Sequence, residues 1–167
     1  MVNVFKILKD ACSLIESDPS VVYGYWIDVR NALASLSYDK TKDGTKYPLI
    51  IINAGTTGIS GEVMFEGEKL DSLRFYLITQ AKLNESFENK MLNRYEAILF
   101  PLLDDMIKAL EKSNKVRFYN KNSMKTYEYE YTLLPYIKTD GKEQQNQLHD
   151  IVDAMEIKFK NFTLKNL

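Results

Sequence analysis

The residues whose types could do chemistry are few. His149 is the sole histidine, and it sits beside Asp150 in the polar stretch "KTDGKEQQNQLHD". A nucleophilic dyad or triad built on it needs Cys12 or a serine within reach, and an acid to orient the ring. Cys12, the sole cysteine, falls on an apolar helical stripe, where a thiol packs and stays inert. The pattern predicts a solvated His149 and no catalytic set. Asp104-Asp105, and Glu128 with Glu130, carry the charge to hold a hard cation, but such sites gather more oxygens from several segments. The first pair reads as the opening turn of a helix and the second as the wet side of a strand. Gly55, Gly58 and Gly61 follow G-x-x-G-x-x-G, which is neither the dinucleotide fingerprint nor a phosphate loop. The reading is a protein that is not an enzyme, with no cofactor and no metal.

One pattern points to binding instead. Tyr127, Tyr129 and Tyr131 alternate with Glu128 and Glu130, close to Lys115, Arg117, Lys121 and Lys125. Aromatic rings on one strand face beside basic residues can stack single-stranded nucleic acid. The competing reading makes the same tyrosines a core-facing row, with the glutamates solvated and the basic residues capping a hairpin. The usual RNA-binding signature is missing.

Composition narrows the partners further. The 167 residues carry 22 basic and 23 acidic side chains, a net charge of −1, so there is no basic excess to grip phosphates. The stretch "MVNVFKILKDACSLIE" is interrupted by Lys6, Lys9 and Asp10 and does not read as a secretory leader. The longest apolar run, Ala97 to Leu103, is too short to span a bilayer. An aqueous, intracellular setting without membrane contact is expected. Eleven tyrosines against one tryptophan suit half-buried or shared surfaces.

The elements that must position these residues follow from periodicity. Phe5, Leu8, Cys12 and Ile15 share one face of a helix over the first sixteen residues, which Asp18-Pro19-Ser20 ends. Val21 to Tyr25 reads as extended and Trp26 to Leu36 as a short helix. Leu49 to Ile52 is an apolar strand without alternation, so something must cover both its sides: helices on one, and loops or another subunit on the other. Residues 55–72 are glycine-rich and read as a loop or projecting hairpin arm with Val63 to Phe65 as one limb. Leu73, Phe75 and Leu77 alternate with Arg74, Tyr76 and Ile78 in a second strand.

Residues 84–112 form the main helical segment. Leu92, Tyr95, Leu99, Leu102 and Met106 make a single stripe in it. Pro101 predicts a kink or a second helix opening there, with Asp104 and Asp105 in its first turn. The last third is β, and the shift of parity at Phe162 and Leu164 predicts a bulge or turn near Asn161. The sum is a single α+β domain over 1–167: a mixed, mostly antiparallel sheet of about four to six strands, with helices packed on one face.

Taken in order, "NVFKILKD", "YGYWIDVRNAL", "KYPLIIIN", "LRFYLITQ", "NRYEAILFPLLDDMIKAL" and "DAMEIKF" resemble a family of small structural proteins of tailed bacteriophages. These are the tail-terminator or tail-completion and neck (head–tail connector) ring proteins, in versions seen in phages of Bacteroidetes. The resemblance implies a virion subunit, assembled in the bacterial host cytoplasm and sited in the neck or tail. It further implies a sixfold or twelvefold homo-oligomeric ring that contacts other neck or tail proteins and meets DNA only as passing cargo. The glycine-rich segment 55–72 and the polar stretch 138–150 look long for a minimal member. The expected subunit contacts are Gly55, Gly58, Ile59, Val63, Met64 and Phe65 of the arm, with Lys121, Asn122 and Met124 of a hairpin loop over 120–125.

Overall fold

A computed structural model describes residues 4–25, 31, 47–53, 58–60, 67–71, 73–82, 84–113, 116–118, 128–134, 152–160 and 162–165. Its elements in chain order are α1 (Val4–Cys12), β1 (Ser20–Gly24), β2 (Leu49–Asn53), β3 (Gly58–Ser60), β4 (Gly67–Asp71) and β5 (Leu73–Gln80). Then come α2 (Phe87–Lys90), a π-helix π1 (Met91–Leu99), α3 (Phe100–Lys112), β6 (Val116–Phe118), β7 (Glu128–Leu134), β8 (Val152–Lys160) and β9 (Phe162–Lys165). The expected helix over Trp26 to Leu36 lies outside the described residues, apart from a helical Asn31.

The protein is α+β. Its main sheet has five strands in the order β1-β2-β5-β8-β7, parallel only at β1–β2. A second sheet of four strands, β3-β4-β9-β6, was not foreseen. Along the chain β3 follows β2, β4 precedes β5, β9 follows β8 and β6 precedes β7. Across the break the central register agrees, with Leu73 opposite Phe159 in one sheet and Leu70 opposite Phe162 in the other. The parity shift falls between β8 of the main sheet and β9 of the second; Asn161, where a bulge or turn is expected, lies outside the described residues.

The expected hairpin loop over 120–125 lies outside the described residues. β6 and β7 do not pair with each other. β6 ends with Phe118 opposite Phe162, and β7 begins with Glu128 opposite Lys160. Residues 119–127, between these two strands, lie outside the described residues.

The helices described lie on one face of the main sheet. Leu8, Cys12 and Ile15 of the first helical stretch pack with Leu99, Met106 and Leu110 over Ile50, Ile52, Phe75, Leu77, Met155 and Ile157. α1 stops at Cys12, earlier than expected, yet Ile15 stays buried because the chain turns tightly, its N–H bonding to Cys12 O at 3.2 Å. The opposite face has its own small core: Val22, Leu49, Ile51, Ile78, Val152 and Ala154, with Tyr47, Tyr76 and Leu134 against it. Leu49 to Ile52 are 0% exposed within one chain. The missing alternation in this strand is therefore answered without a second subunit. Pro48 precedes it, and its carbonyl accepts the Ser20 N–H at 3.1 Å, tying β1 to β2.

The long helical segment departs from its sequence pattern. Ser86 caps α2, accepting from the Asn89 N–H at 3.3 Å. From Met91 to Leu99 the winding widens, so that the Phe100 N–H reaches back five residues to Tyr95 O. One turn before Tyr95 then falls on Lys90 and Met91, not on Leu92. Leu92, predicted in the stripe, is accordingly 57% exposed, whereas Lys90 is buried. Pro101 opens α3 without a gap, and the first turn is Phe100 to Leu103. Asp104 and Asp105 lie just beyond it, and Asp105 meets Lys108 at 3.6 Å on the surface.

Candidate functional site

The chemistry-bearing residues are placed as follows. Cys12 is fully buried, and desolvation pushes its thiol up to about 12. The reactive thiolate is therefore scarce at neutral pH. We expect native protein at pH 8 to leave Cys12 unmodified by Ellman's reagent, with full reaction only after denaturation. Stoichiometric labelling of the native chain, followed by absorbance, would contradict that placement. His149, Lys115, Lys121, Asn122, Met124, Lys125 and Tyr127 lie outside the described residues, as do Gly55, Val63, Met64 and Phe65. No cluster of three or more metal-ligating side chains forms among the described residues. None of the described helices is long and apolar enough to cross a membrane.

Of the assembly residues, Gly58 and Ile59 are in β3, opposite Asp71 and Leu70. The glycine-rich segment is thus a hairpin whose limbs are β3 and β4. Val63 to Phe65, expected as one limb, lie outside the described residues. β4 also pairs with β9, so one limb is an interior strand of the second sheet.

The tyrosine row faces the helical layer. Tyr129 is half-buried, its ring 5.9 Å from Phe159 and packed on the main core. Tyr131 is 50% exposed and meets Phe100 edge-to-face at 5.6 Å. Leu133 continues the row into the core. Arg117 sits in β6, opposite Thr163, in the other sheet. Among the described residues the row offers one open ring, Tyr131, at the sheet edge.

The reverse face of the sheet is charged and balanced. Arg74 Nη1 donates to Glu156 Oε1 at 2.7 Å, and the Tyr76 hydroxyl donates to the same oxygen at 3.0 Å. Burial, then the Glu156 charge, raises the Tyr76 phenol; the Glu156 hydrogen bond raises Arg74. Lys160 donates to Glu130 and holds its carboxyl below the usual range. Cations and anions alternate here, so the face has no one-signed field to attract a polyanion.

Sequence reasoning missed the polar groups around π1. Lys90 Nζ stands 3.6 Å from Asp153 Oδ1, with both side chains out of solvent. Tyr95 is buried above them, and its hydroxyl donates to Ala154 O at 3.4 Å. Burial, then the charge of Asp153, pushes its phenol upward. On the next turn Arg94 Nη2 approaches Glu85 Oε2 at 3.7 Å, and Asn93 Nδ2 donates to Glu85 Oε1 at 3.2 Å. Lys90 closes α2 and Arg94 lies one turn further on in π1, and the α-helical spacing gave no signal for either. The available signal was Asp153 itself, an acid on the apolar side of a strand.

The fold is that of an α+β protein with a five-stranded and a four-stranded sheet. No protein-family model matches the chain. No curated protein matches it either.

Proposed function

We propose that this chain is a non-enzymatic structural subunit of a tailed-phage virion. In this reading it closes into a ring at the head–tail junction or the tail end, in a terminator, completion or connector role. The order of its segments supports the reading, and one structural observation carries it: both sheets end in unlike edge strands among the described residues. The main sheet ends in β1 and β7, the second in β3 and β6. A contact between two unlike patches repeats head to tail, and closes into a ring when the rotation allows. Edge strands offer unpaired backbone groups for such a contact. The exposed ring of Tyr131 on β7 adds apolar area there. A net charge of −1 suits a ring through which DNA passes without being held.

The test is native mass by light scattering after size exclusion, at two concentrations, for two proteins. One is the full chain. The other replaces residues 61–66 by Asn-Gly, which leaves a short four-residue loop, Asn-Gly followed by Gly67 and Glu68, between the paired Ser60 and Lys69. Deleting all of 55–72 is unsuitable, since it would remove β4 from the second sheet. A sixfold or twelvefold species is expected for the full chain, and a folded monomer for the shortened one. Monomers of both at both concentrations would overturn the reading.

A further inference from the structure

A cleft of about 460 Å³ opens between the end of β5 and π1, away from the tyrosine row. Its volume lies within the range of roughly 300–1,000 Å³ typical of small-molecule sites. Tyr47, Pro48 and Ile98 supply apolar wall, while Thr79, Lys82 and Arg94 supply polar groups, two of them cationic. We infer that this cleft binds a small organic anion, a carboxylate or phosphate monoester on a compact apolar body, through the guanidinium of Arg94. The inference is independent of the ring reading.

The Arg94 side chain is 14% exposed, so its charge is mostly out of water. Its nearest carboxylate oxygen, Glu85 Oε2, is 3.7 Å from Nη2, beyond hydrogen-bond reach. Neither that oxygen nor the Arg94 Nε–H, both buried, makes a hydrogen bond in the structure. Glu85 gives its other oxygen to Asn93. The Nε and Nη2 donors lie side by side on one edge of the guanidinium, the fork that accepts a carboxylate or phosphate in bidentate fashion. A buried donor left without an acceptor is costly, which favours an anion that fills it. Glu85 keeps the empty site near neutrality without satisfying the fork. Lys82 adds positive charge at the same cleft, and the Thr79 hydroxyl adds a further donor at its floor.

The experiment titrates the ¹⁵N-labelled full chain with sodium benzoate, phenyl phosphate and neutral benzamide. It follows the amide shifts of residues 79–82 and 94–98. Saturable shifts confined to these residues are expected with at least one of the anions, and none with benzamide. Whichever anion binds more tightly identifies the head group. Arg94→Gln should weaken that binding roughly tenfold or more. Glu85→Gln should leave it unchanged or tighten it, because the competing carboxylate is gone. A purely structural Arg94–Glu85 pair would instead show no saturable anion binding, or equal binding by benzamide and in Arg94→Gln. Should Arg94→Gln fail to fold, Glu85→Gln decides: unchanged or tighter anion binding sustains the inference, and weaker binding overturns it.

Discussion

Asp153→Ala is expected to destabilise the protein by about 3–5 kcal/mol, the range for removing one partner of a buried ion pair. Both partners are out of water: the Lys90 side chain is 4% exposed and that of Asp153 is 0%. Taking the carboxylate away removes this ion-pair partner from a buried ammonium, and its desolvation is then less well compensated. Lys90→Met should be costly for the mirror reason. The double variant Lys90→Met/Asp153→Leu should recover most of the loss, because well-packed apolar replacements of a buried pair are often neutral. Chemical denaturation of the wild type, Lys90→Met, Asp153→Leu and the double variant gives the coupling between the two sites. Losses that simply add would mean that the two charges do not act as a pair. A mild loss in Asp153→Ala would mean that water reaches Lys90.

Phe159→Ala should cost a similar amount, about 3–5 kcal/mol. Phe159 is the last inward residue of β8 before the chain passes into β9, and it is 0% exposed. Its ring lies 5.5 Å from Phe75 and 5.4 Å from Phe162, so it joins the core of the main sheet to the first residue of the second. Truncation opens a cavity at that junction, and close-packed neighbours relax into it only in part. The informative control is Leu92→Ala. With regular α-helical winding Leu92 would sit in the core stripe, and its loss would cost several kcal/mol. In the π-wound segment it is exposed, and the change should stay within about 0.5 kcal/mol. Unfolding midpoints that rank Leu92→Ala beside Phe159→Ala would contradict the winding of π1.

Much of this architecture was legible from periodicity. Leu73, Phe75 and Leu77 alternate with Arg74 and Tyr76, and in the fold the first three are buried beneath the helices while the other two are only half-buried. Tyr129 and Leu133 likewise share a face because side chains on a strand alternate. The unbroken run Leu49 to Ile52 announced burial on both sides, and all four residues are buried. The second sheet was not legible. β3 and β4 are short and rich in polar residues or glycine, β6 has three residues, and they gain their pairing only from β9 and from each other.

The candidate anion site was not legible either. Glu85, Arg94 and Lys82 read as ordinary surface charges on an amphipathic helix and its lead-in. The sequence by itself determined which residues share a face within each element, since that depends on local backbone geometry alone. Tertiary structure decided which faces meet, and how far the helix had to widen to meet them. Tyr95 bonds to Ala154 across 59 positions, and Arg74 bonds to Glu156 across 82. Contacts at such separations depend on how whole elements pack, and the π turn under Lys90 and Arg94 is a product of that packing.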